Sequence, residues 1–155
     1  MDNYLQFGKY TAGCPQWLQD KVKFIKPTTI DEAYIIEILK VIKEEFNPTL
    51  HTITTTHDFK ISRFITVNEI LEKRQRSCGS LVSVAASVLR CLGLPTKLID
   101  GMFIKNNPNM KHAWIEVFIG GAWAPFDIMQ KDFKLTSYHI KKGEYVDWQE
   151  LEDNS

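Results

Sequence analysis

The spacing of apolar and polar residues along the chain predicts a mixture of helices and strands. Residues 29–32 have the order Thr, x, x, Glu, the signature of a capping box, and the apolar spacing that follows predicts a helix ending before Pro48. Residues 50–66 are rich in Thr, Ile and Phe and predict one or two strands. A second capping box at residues 66–69 predicts a short helix that extends to about Arg74.

One segment, residues 77–92, is apolar on most faces. Such a pattern is typical of a helix in the centre of a domain, because a surface helix keeps one polar face for water. Gly93 supplies a C-terminal cap, and Pro95 prevents the helix from continuing. The sequence therefore predicts a buried helix that begins near Ser77.

The segments after this helix predict three strands, at residues 96–104, 112–119 and 122–128. The polar residues 105–109 predict a loop, which we expect to be mobile and to overhang a cleft. Gly120 and Gly121 predict a two-residue hairpin, because both central positions of a type I′ turn need positive φ. After Tyr145 the chain is polar and acidic, and we expect it to fray.

The glycine pair also predicts which hairpin residues share a face. If the two glycines form the turn, Ile119 lies opposite Ala122 and His112 lies opposite Met129. Because side chains alternate along a strand, His112 and Asp127 then project from one face as diagonal neighbours, with Cα atoms roughly 7–8 Å apart. One hydrogen bond can bridge that gap. Asp127 could instead end the strand or hold a turn.

Cys78 stands where the buried helix begins, directly after Ser77, a residue type that caps helices. Unpaired N–H groups and the positive end of the helix dipole favour a thiolate at such a position. The same N–H groups could stabilise an oxyanion, and the small Gly79 and Ser80 would leave room for a substrate carbonyl. The alternative is a buried structural thiol, since free cysteine is among the most buried residue types.

Together these residues predict a triad for nucleophilic catalysis. Cys78 would be the nucleophile, His112 the base that takes the thiol proton, and Asp127 the residue that orients the imidazole. The motifs require neither a cofactor nor a metal ion.

Three sequence blocks resemble the transglutaminase-like superfamily: residues 78–95, with Cys-Gly, an apolar helix and Leu-Arg-Cys-Leu-Gly-Leu-Pro; residues 112–117, His-Ala-Trp-Ile-Glu-Val; and residues 123–127, Trp-Ala-Pro-Phe-Asp. The resemblance covers about residues 66–129. It implies a papain-like α+β fold, with N-terminal helices and a central buried nucleophile helix packed on an antiparallel sheet. It also implies a thioester mechanism, which different members use for peptide hydrolysis, glutamine transamidation or deglycosylation. Gln75 is the upstream candidate for the partner of the oxyanion.

Length, charge and cysteine content limit the remaining possibilities. A chain of 155 residues predicts a single domain over residues 1–155. Nineteen basic and nineteen acidic residues give zero net charge, which argues against nucleic acid as a partner. The absence of a run of about 18 apolar residues argues against a membrane span, and the first ten residues lack a secretion signal. Three cysteines do not form a disulfide framework, so we expect a reduced, cytoplasmic setting.

Three functions remain open at this point. The first is a cysteine-dependent hydrolase or acyl transferase acting on amide bonds of a peptide or protein substrate. The second is a catalytically inactive binding or regulatory module of the same fold, and the third is a structural domain in which these residues only pack. An activated thiol at Cys78 would distinguish the first from the other two.

Overall fold

The chain folds as helices packed on one antiparallel sheet. The computed structural model describes residues 2–154. After a short 3₁₀ turn at Asp2–Leu5, the elements in chain order are α1 (Gln16–Lys23), α2 (Glu32–Glu44), β1 (Thr54–Thr55), α3 (Phe59–Arg63), α4 (Val67–Lys73), β2 (Gln75–Arg76), α5 (Cys78–Cys91), β3 (Thr96–Phe103), β4 (Lys111–Ile119), β5 (Ala122–Phe126), β6 (His139–Tyr145) and α6 (Trp148–Asp153). Within the described residues, no helix is both long and apolar enough to cross a bilayer.

The main sheet has the strand order β5-β4-β3-β6, and every neighbouring pair is antiparallel. Helix α5 packs against β3 and β4, and its residues 79–90 are all buried. A separate two-residue parallel pair joins β1 to β2. The α+β class and the central buried helix are therefore confirmed.

Local sequence signals correctly predicted the elements that surround the site. The Ser77 hydroxyl caps α5 by accepting a hydrogen bond from the Ser80 N–H at 3.2 Å. Gly120 and Gly121 have φ of 58° and 81°, and the strands pair from Ile119–Ala122 onward in the predicted register. Thr66 caps α4 as its capping box predicts. Helix α2 starts slightly later than predicted, because Asp31 rather than Thr29 caps it.

The prediction of strands over residues 50–66 is wrong for most of that segment. Only the two residues of β1 are extended, and α3 follows almost at once. The carboxylate of Asp58 caps α3 by accepting a hydrogen bond from the Ile61 N–H at 2.8 Å. Arg63 is 2% exposed and pairs with Asp100 of β3 at 3.2 Å. Tertiary contacts therefore override the β propensity of this stretch.

The prediction of a fraying tail after Tyr145 is also wrong for the described residues. Asp147 and Glu150 form a capping box at the start of α6. Trp148 is fully buried, and its indole N–H donates to the carbonyl of Gly79 at 3.2 Å. The Asp147 carboxylate also accepts a hydrogen bond from the Tyr10 N–H at 3.1 Å. Acidic residues that look solvated in the sequence therefore connect the two ends of the described chain.

A buried arginine near the end of α5 holds three distant segments together. Arg90 is 3% exposed, and its Nη2 donates to the carbonyls of Thr96 and Val146, each at 2.7 Å. Its Nη1 donates to the carbonyl of Gln6 at 2.7 Å. Since α5 carries Cys78 at its other end, these bonds fix the helix relative to the sheet that carries the histidines.

Candidate active site

Cys78 is the first residue of α5 and opens onto a cleft of about 680 Å³. Its side chain is half-buried, with Ser77 on one side and Gly79 on the other. The cap formed by Ser77 fixes the direction of the first helical turn, and thereby of the thiol. The nucleophile candidate therefore stands at a helix N-terminus and faces a space that a ligand can enter.

His112 and Asp127 form a direct hydrogen bond. His112 is the second residue of β4, and Asp127 follows the last residue of β5 across the hairpin. The His112 Nε2 lies 2.7 Å from the Asp127 Oδ2. Both residues are buried, His112 with 7% of its surface exposed and Asp127 with none. The contact expected from the hairpin register is thus present, and Nδ1 of His112 remains available to the thiol.

The carboxylate of Asp127 is held as an anion in a buried position. Its Oδ1 accepts a hydrogen bond from the Met129 N–H at 2.9 Å, and its own N–H donates to the carbonyl of Phe133 at 2.9 Å. Burial acts to raise the pKa of Asp127, but the hydrogen bonds from His112, His139 and Met129 outweigh it and hold the pKa below its ordinary value. The turn after β5 therefore fixes both the position and the charge of the acid.

The Cys78 thiol interacts with the His112 ring, and this interaction lowers the pKa of the thiol and raises the pKa of the imidazole. Burial acts to raise the pKa of Cys78, but His112, the charge of Arg63 and the Ala113 amide lower it below its ordinary value. Burial acts to lower the pKa of His112, whereas the hydrogen bonds to Asp127 and Cys78 raise it to about 9. Between these two pKa values the pair exists as thiolate and imidazolium, the reactive form of a cysteine nucleophile.

His139 is the site residue that the sequence did not reveal. Its Nε2 lies 2.7 Å from the same Asp127 Oδ2, and its side chain is 1% exposed. Its Nδ1 accepts a hydrogen bond from the Thr136 N–H at 3.0 Å. Because Nδ1 is an acceptor, the ring proton stands on Nε2 and is donated to Asp127. Strand β6 brings His139 opposite Phe103 of β3, a pairing for which the local sequence holds no signal.

Among residues 2–154, only His112, Asp127 and His139 bring three potential metal ligands together. Each imidazole nitrogen stands 2.7 Å from the shared carboxylate oxygen, which is a hydrogen-bond distance. Two ligands of one tetrahedral zinc ion, each about 2.0–2.1 Å from the metal, would lie well over 3 Å apart. The arrangement therefore fits a pair of hydrogen bonds to a carboxylate better than a metal centre.

The first turn of α5 offers fewer oxyanion donors than the sequence suggested. The Gly79 N–H donates to the Ser62 hydroxyl at 3.1 Å, and the Ser80 N–H donates to Ser77. Gln75 is buried, and its Nε2 donates to the Ile61 carbonyl and the Ser80 hydroxyl. Gln75 is therefore not positioned as an oxyanion partner. Within residues 2–154 the Cys78 N–H has no acceptor, so it is the amide of this turn left for a substrate oxygen.

The small size of Gly79 serves packing rather than substrate access, contrary to expectation. A Cβ at this position would lie 2.6 Å from both the Arg63 Cγ and the Ser62 Oγ. Gly79 is buried, and the Arg63 side chain packs directly against it. The Arg63 guanidinium then stacks on the Phe59 ring, with its central carbon 4.0 Å from the ring centroid. The absence of a side chain at Gly79 therefore lets a cation approach the nucleophile.

The cleft beside Cys78 has apolar walls and a polar rim. Its lining residues are Thr56, His57, Phe59, Ser62, Arg63, Ser77, Cys78, Phe103, Lys105, Asn106, Asn107, Met110, Lys111, His112, Met129 and Gln130. Four of them come from the loop between β3 and β4, which therefore forms part of the cleft wall. The loop is closed by the Phe103 N–H donating to the Met110 carbonyl at 2.9 Å and by the Asn109 N–H donating to Asn107 Oδ1 at 2.9 Å.

The other two cysteines provide a contrast to Cys78. Cys14 is buried, and desolvation together with the neighbouring Cys91 raises its pKa to about 12. Cys91 is exposed, and burial of part of its side chain still raises its pKa. Of the three thiols, Cys78 has its pKa lowered.

The sequence pattern of the transglutaminase-like superfamily matches residues 16–128, which is most of the chain. No curated protein sequence matches the chain.

Three solved structures have a similar fold. The structure described as a "Putative Cysteine Protease from Cytophaga hutchinsonii" has 19% identity and a TM-score of 0.69, over 94% of this chain and 47% of that one. A structure described as a TGase has 14% identity and a TM-score of 0.55, over 82% and 32% of the two chains. The periplasmic domain of TgpA from Pseudomonas aeruginosa has 20% identity and a TM-score of 0.53, over 81% and 45%. The chain spans less than half the length of each of these structures.

Proposed function

Because the chain belongs to the transglutaminase-like superfamily, we propose that it is a cysteine-dependent hydrolase or acyl transferase. It would act on amide bonds, either in a peptide or in a glutamine side chain, through a thioester on Cys78. The observation that carries the proposal is the continuous run of interactions from Cys78 through His112 to Asp127. The separation of the two pKa values, lowered at Cys78 and raised to about 9 at His112, supports it.

The reaction follows from the atoms that face the cleft. The Cys78 thiolate attacks the carbonyl carbon, and the carbonyl oxygen becomes an oxyanion within reach of the Cys78 N–H. The His112 imidazolium then gives its proton to the leaving nitrogen, so the C–N bond breaks and an amine departs. Water or a second amine, deprotonated by the now neutral His112, attacks the thioester and releases the thiolate. Throughout these steps Asp127 keeps the imidazole oriented and stabilises its positive charge.

His139 would serve as a positioning residue in this scheme. It is not itself among the residues that line the cleft, although its ring packs against Phe103, which is, and its hydrogen bond to the triad runs through the Asp127 Oδ2. A second donor on that oxygen restricts the carboxylate to one orientation and shares its negative charge between two imidazoles. Trp114 is 1% exposed and packs against both rings, so the triad stands partly shielded from water.

The proposal includes a reducing, cytoplasmic setting and a peptide or protein substrate. Cys78 acts only as a free thiol, and all three cysteines are free in the structure.

Acylation by p-nitrophenyl acetate tests the proposal without knowledge of the natural substrate. We expect a burst of p-nitrophenolate close to one equivalent, with the acetyl group on Cys78 by mass spectrometry and removable by hydroxylamine. Cys78→Ala should abolish the burst, and His112→Ala should slow it by at least about a hundredfold, the lower end of the range for general acid–base catalysis. Acetylation spread over lysines, at equal rates in wild type and Cys78→Ala, would show an inactive module.

The same acyl-enzyme distinguishes the two acyl acceptors. Its decay is followed in buffer alone and with added putrescine as the amine. Faster decay with formation of acetylputrescine would identify an acyl transferase, and decay that is insensitive to the amine would identify a hydrolase.

A further inference from the structure

The cleft contains basic side chains but no acidic ones. Arg63, Lys105 and Lys111 contribute to its lining, and none of its sixteen lining residues is Asp or Glu. The whole chain has equal numbers of basic and acidic residues, so this imbalance does not follow from a generally basic protein. The charge around the cleft is therefore a local property of the site.

Most charges near the nucleophile already have partners. Arg63 is paired with Asp100 at 3.2 Å, and the Cys78 thiolate and Asp127 neighbour the His112 imidazolium. Lys105 and Lys111 differ, because within the described part of the chain neither forms an ion pair with an acidic side chain, although the charge of Lys111 acts at longer range on Asp100. They stand at the two ends of the loop between β3 and β4, and Lys111 directly precedes His112. Two positive charges that form no ion pair thus border the entrance to the thiol.

Apolar surface lies next to these charges. The Lys111 ammonium lies 4.7 Å from the centroid of the Phe59 ring, whose contact with Arg63 is noted above. Phe103, Met110 and Met129 complete the apolar walls. A ligand that follows these walls brings an apolar side chain against Phe59 and a charged group against the lysines.

We propose that the cleft selects an anionic acyl donor, a peptide in which a carboxylate stands beside the reacting carbonyl and next to an apolar residue. The inference rests on the proposed function, because it names the substrate class of the same site. Lys105 and Lys111 bind the carboxylate, the walls at Phe59 and Met110 take the apolar side chain, and the carbonyl reaches Cys78. No covalent step is added to the thioester mechanism.

A pair of small alkylating reagents of nearly equal size measures this preference directly. Iodoacetate carries the negative charge, and iodoacetamide is its neutral counterpart. The quantity of interest is the ratio of their rate constants at Cys78, measured at pH 7 and low salt by peptide mass spectrometry. His112 also attracts the anion, so the ratio is compared between wild type and the Lys105→Gln/Lys111→Gln double variant.

We expect the double variant to lower this ratio by about fivefold. A unit charge ~8 Å away changes the local concentration of a monovalent anion in water by roughly twofold, and two such charges multiply. The difference in this ratio between wild type and the double variant should largely vanish at ~1 M salt, where the screening length falls to ~3 Å. Lys23→Gln/Lys26→Gln is the matched control, because Lys23 acts on Cys91 at the far end of α5 and the change in net charge is the same.

A second pair of probes extends the test to peptides. Acetyl-Phe-Glu and acetyl-Phe-Gln chloromethyl ketones have the same shape and differ in one charge. We expect the glutamate probe to alkylate Cys78 faster in wild type, and this preference to disappear in the double lysine variant.

The outcomes separate this inference from the function on which it rests. Cys78 could prove reactive while the ratio of its iodoacetate to its iodoacetamide rate constant is equal in wild type, the double variant and the control. That result would overturn the anionic preference alone. A preference for the glutamine probe would do the same. A Cys78 that neither small reagent modifies at pH 7 would overturn the proposed function, and the inference with it.

Discussion

At the scale of single residues, the feature that most shapes the site is a carboxylate oxygen shared by two histidines. His112 and His139 both stand 2.7 Å from the Asp127 Oδ2, and Thr136 fixes the tautomer of His139. The donor from His139 withdraws charge from the oxygen that stabilises the His112 imidazolium. His139 therefore influences the His112 proton through the shared Asp127 carboxylate.

Replacing His139 tests this influence. In His139→Ala the carboxylate loses one donor, so its charge acts more fully on His112 and the upper pKa of the pH–rate profile should move above about 9. Turnover should fall by roughly tenfold, because the orientation of Asp127 is no longer fixed. The measurement is the pH dependence of kcat with an amide substrate, whose leaving nitrogen needs the His112 proton.

His139→Gln is the control for this prediction, because its amide can donate from nearly the position of Nε2. We expect His139→Gln to retain much of the wild-type pH–rate profile that His139→Ala loses. A purely structural role would lower the melting temperature of His139→Ala and leave the upper pKa of its profile unchanged.

At the scale of elements, the close approach of β3, β4 and β6 is what brings His139 to Asp127. Gly101 stands at a bulge between β3 and β6, where a Cβ would lie 2.3 Å from the Ile140 carbonyl and 2.6 Å from the Trp114 ring. Only a residue without a side chain at this point of β3 allows the Ile140 carbonyl of β6 and the Trp114 ring of β4 to approach so closely.

Gly101→Ala should therefore destabilise the protein by about 2 kcal/mol or more and displace β6 from the site. Gly143→Ala, in β6 itself, is the matched control. Its Cβ would meet only the outer part of the Tyr145 side chain, at 2.9 Å or more, so it should cost less than about 1 kcal/mol. Urea unfolding measures both values, and equal losses would contradict this account of Gly101.

The loop between β3 and β4 carries a separate prediction. Replacing residues 106–109 with two glycines removes Asn106 and Asn107 from the cleft lining and leaves the strands untouched. We expect KM or substrate range to change, while the stability changes by less than about 1 kcal/mol, because closure entropy depends weakly on loop length. Unchanged kinetics at an unchanged melting temperature would mean that the loop only links two strands.

The sequence predicted those elements whose signals are local. The cap at Ser77 and the glycine pair at Gly120 and Gly121 each need only a few neighbouring residues, and from them the buried helix and the His112–Asp127 contact followed. His139 could not be found in this way, because its role depends on β6 pairing with β3 more than thirty residues earlier.

Helices α3 and α6 were missed for the same reason. Helix α3 is secured by Arg63 reaching Asp100, and α6 by Trp148 reaching Gly79. In each case the stabilising partner lies far away in sequence, so the local pattern predicted strand or disorder. Packing of distant elements decided the structure at these positions.

At the scale of the whole molecule, the arrangement of charges predicts a bell-shaped pH dependence of turnover. On the acid side the Cys78 thiolate becomes protonated and turnover falls. On the alkaline side the His112 imidazolium, with its pKa of about 9, loses the proton that the leaving amine needs. Turnover with an amide substrate should therefore decline as the pH rises through about 9.

Alkylation of Cys78 should behave differently above pH 9, because it requires the thiolate but no proton donor. Its rate should stay high where turnover falls. If the two profiles declined together, unfolding or loss of the thiolate would be the cause, and His112 would not be acting as the acid.

The central claim is that Cys78 is a nucleophile activated by His112, and the rate of its alkylation by iodoacetamide from pH 4 to 10 tests it most directly. We predict that the midpoint of this profile lies clearly below the ordinary thiol pKa of 9.0, and that His112→Ala moves it upward. Cys78 should also react well ahead of Cys14 and Cys91, whose pKa values are raised. A midpoint at or above 9.0 that His112→Ala leaves unchanged would contradict the account.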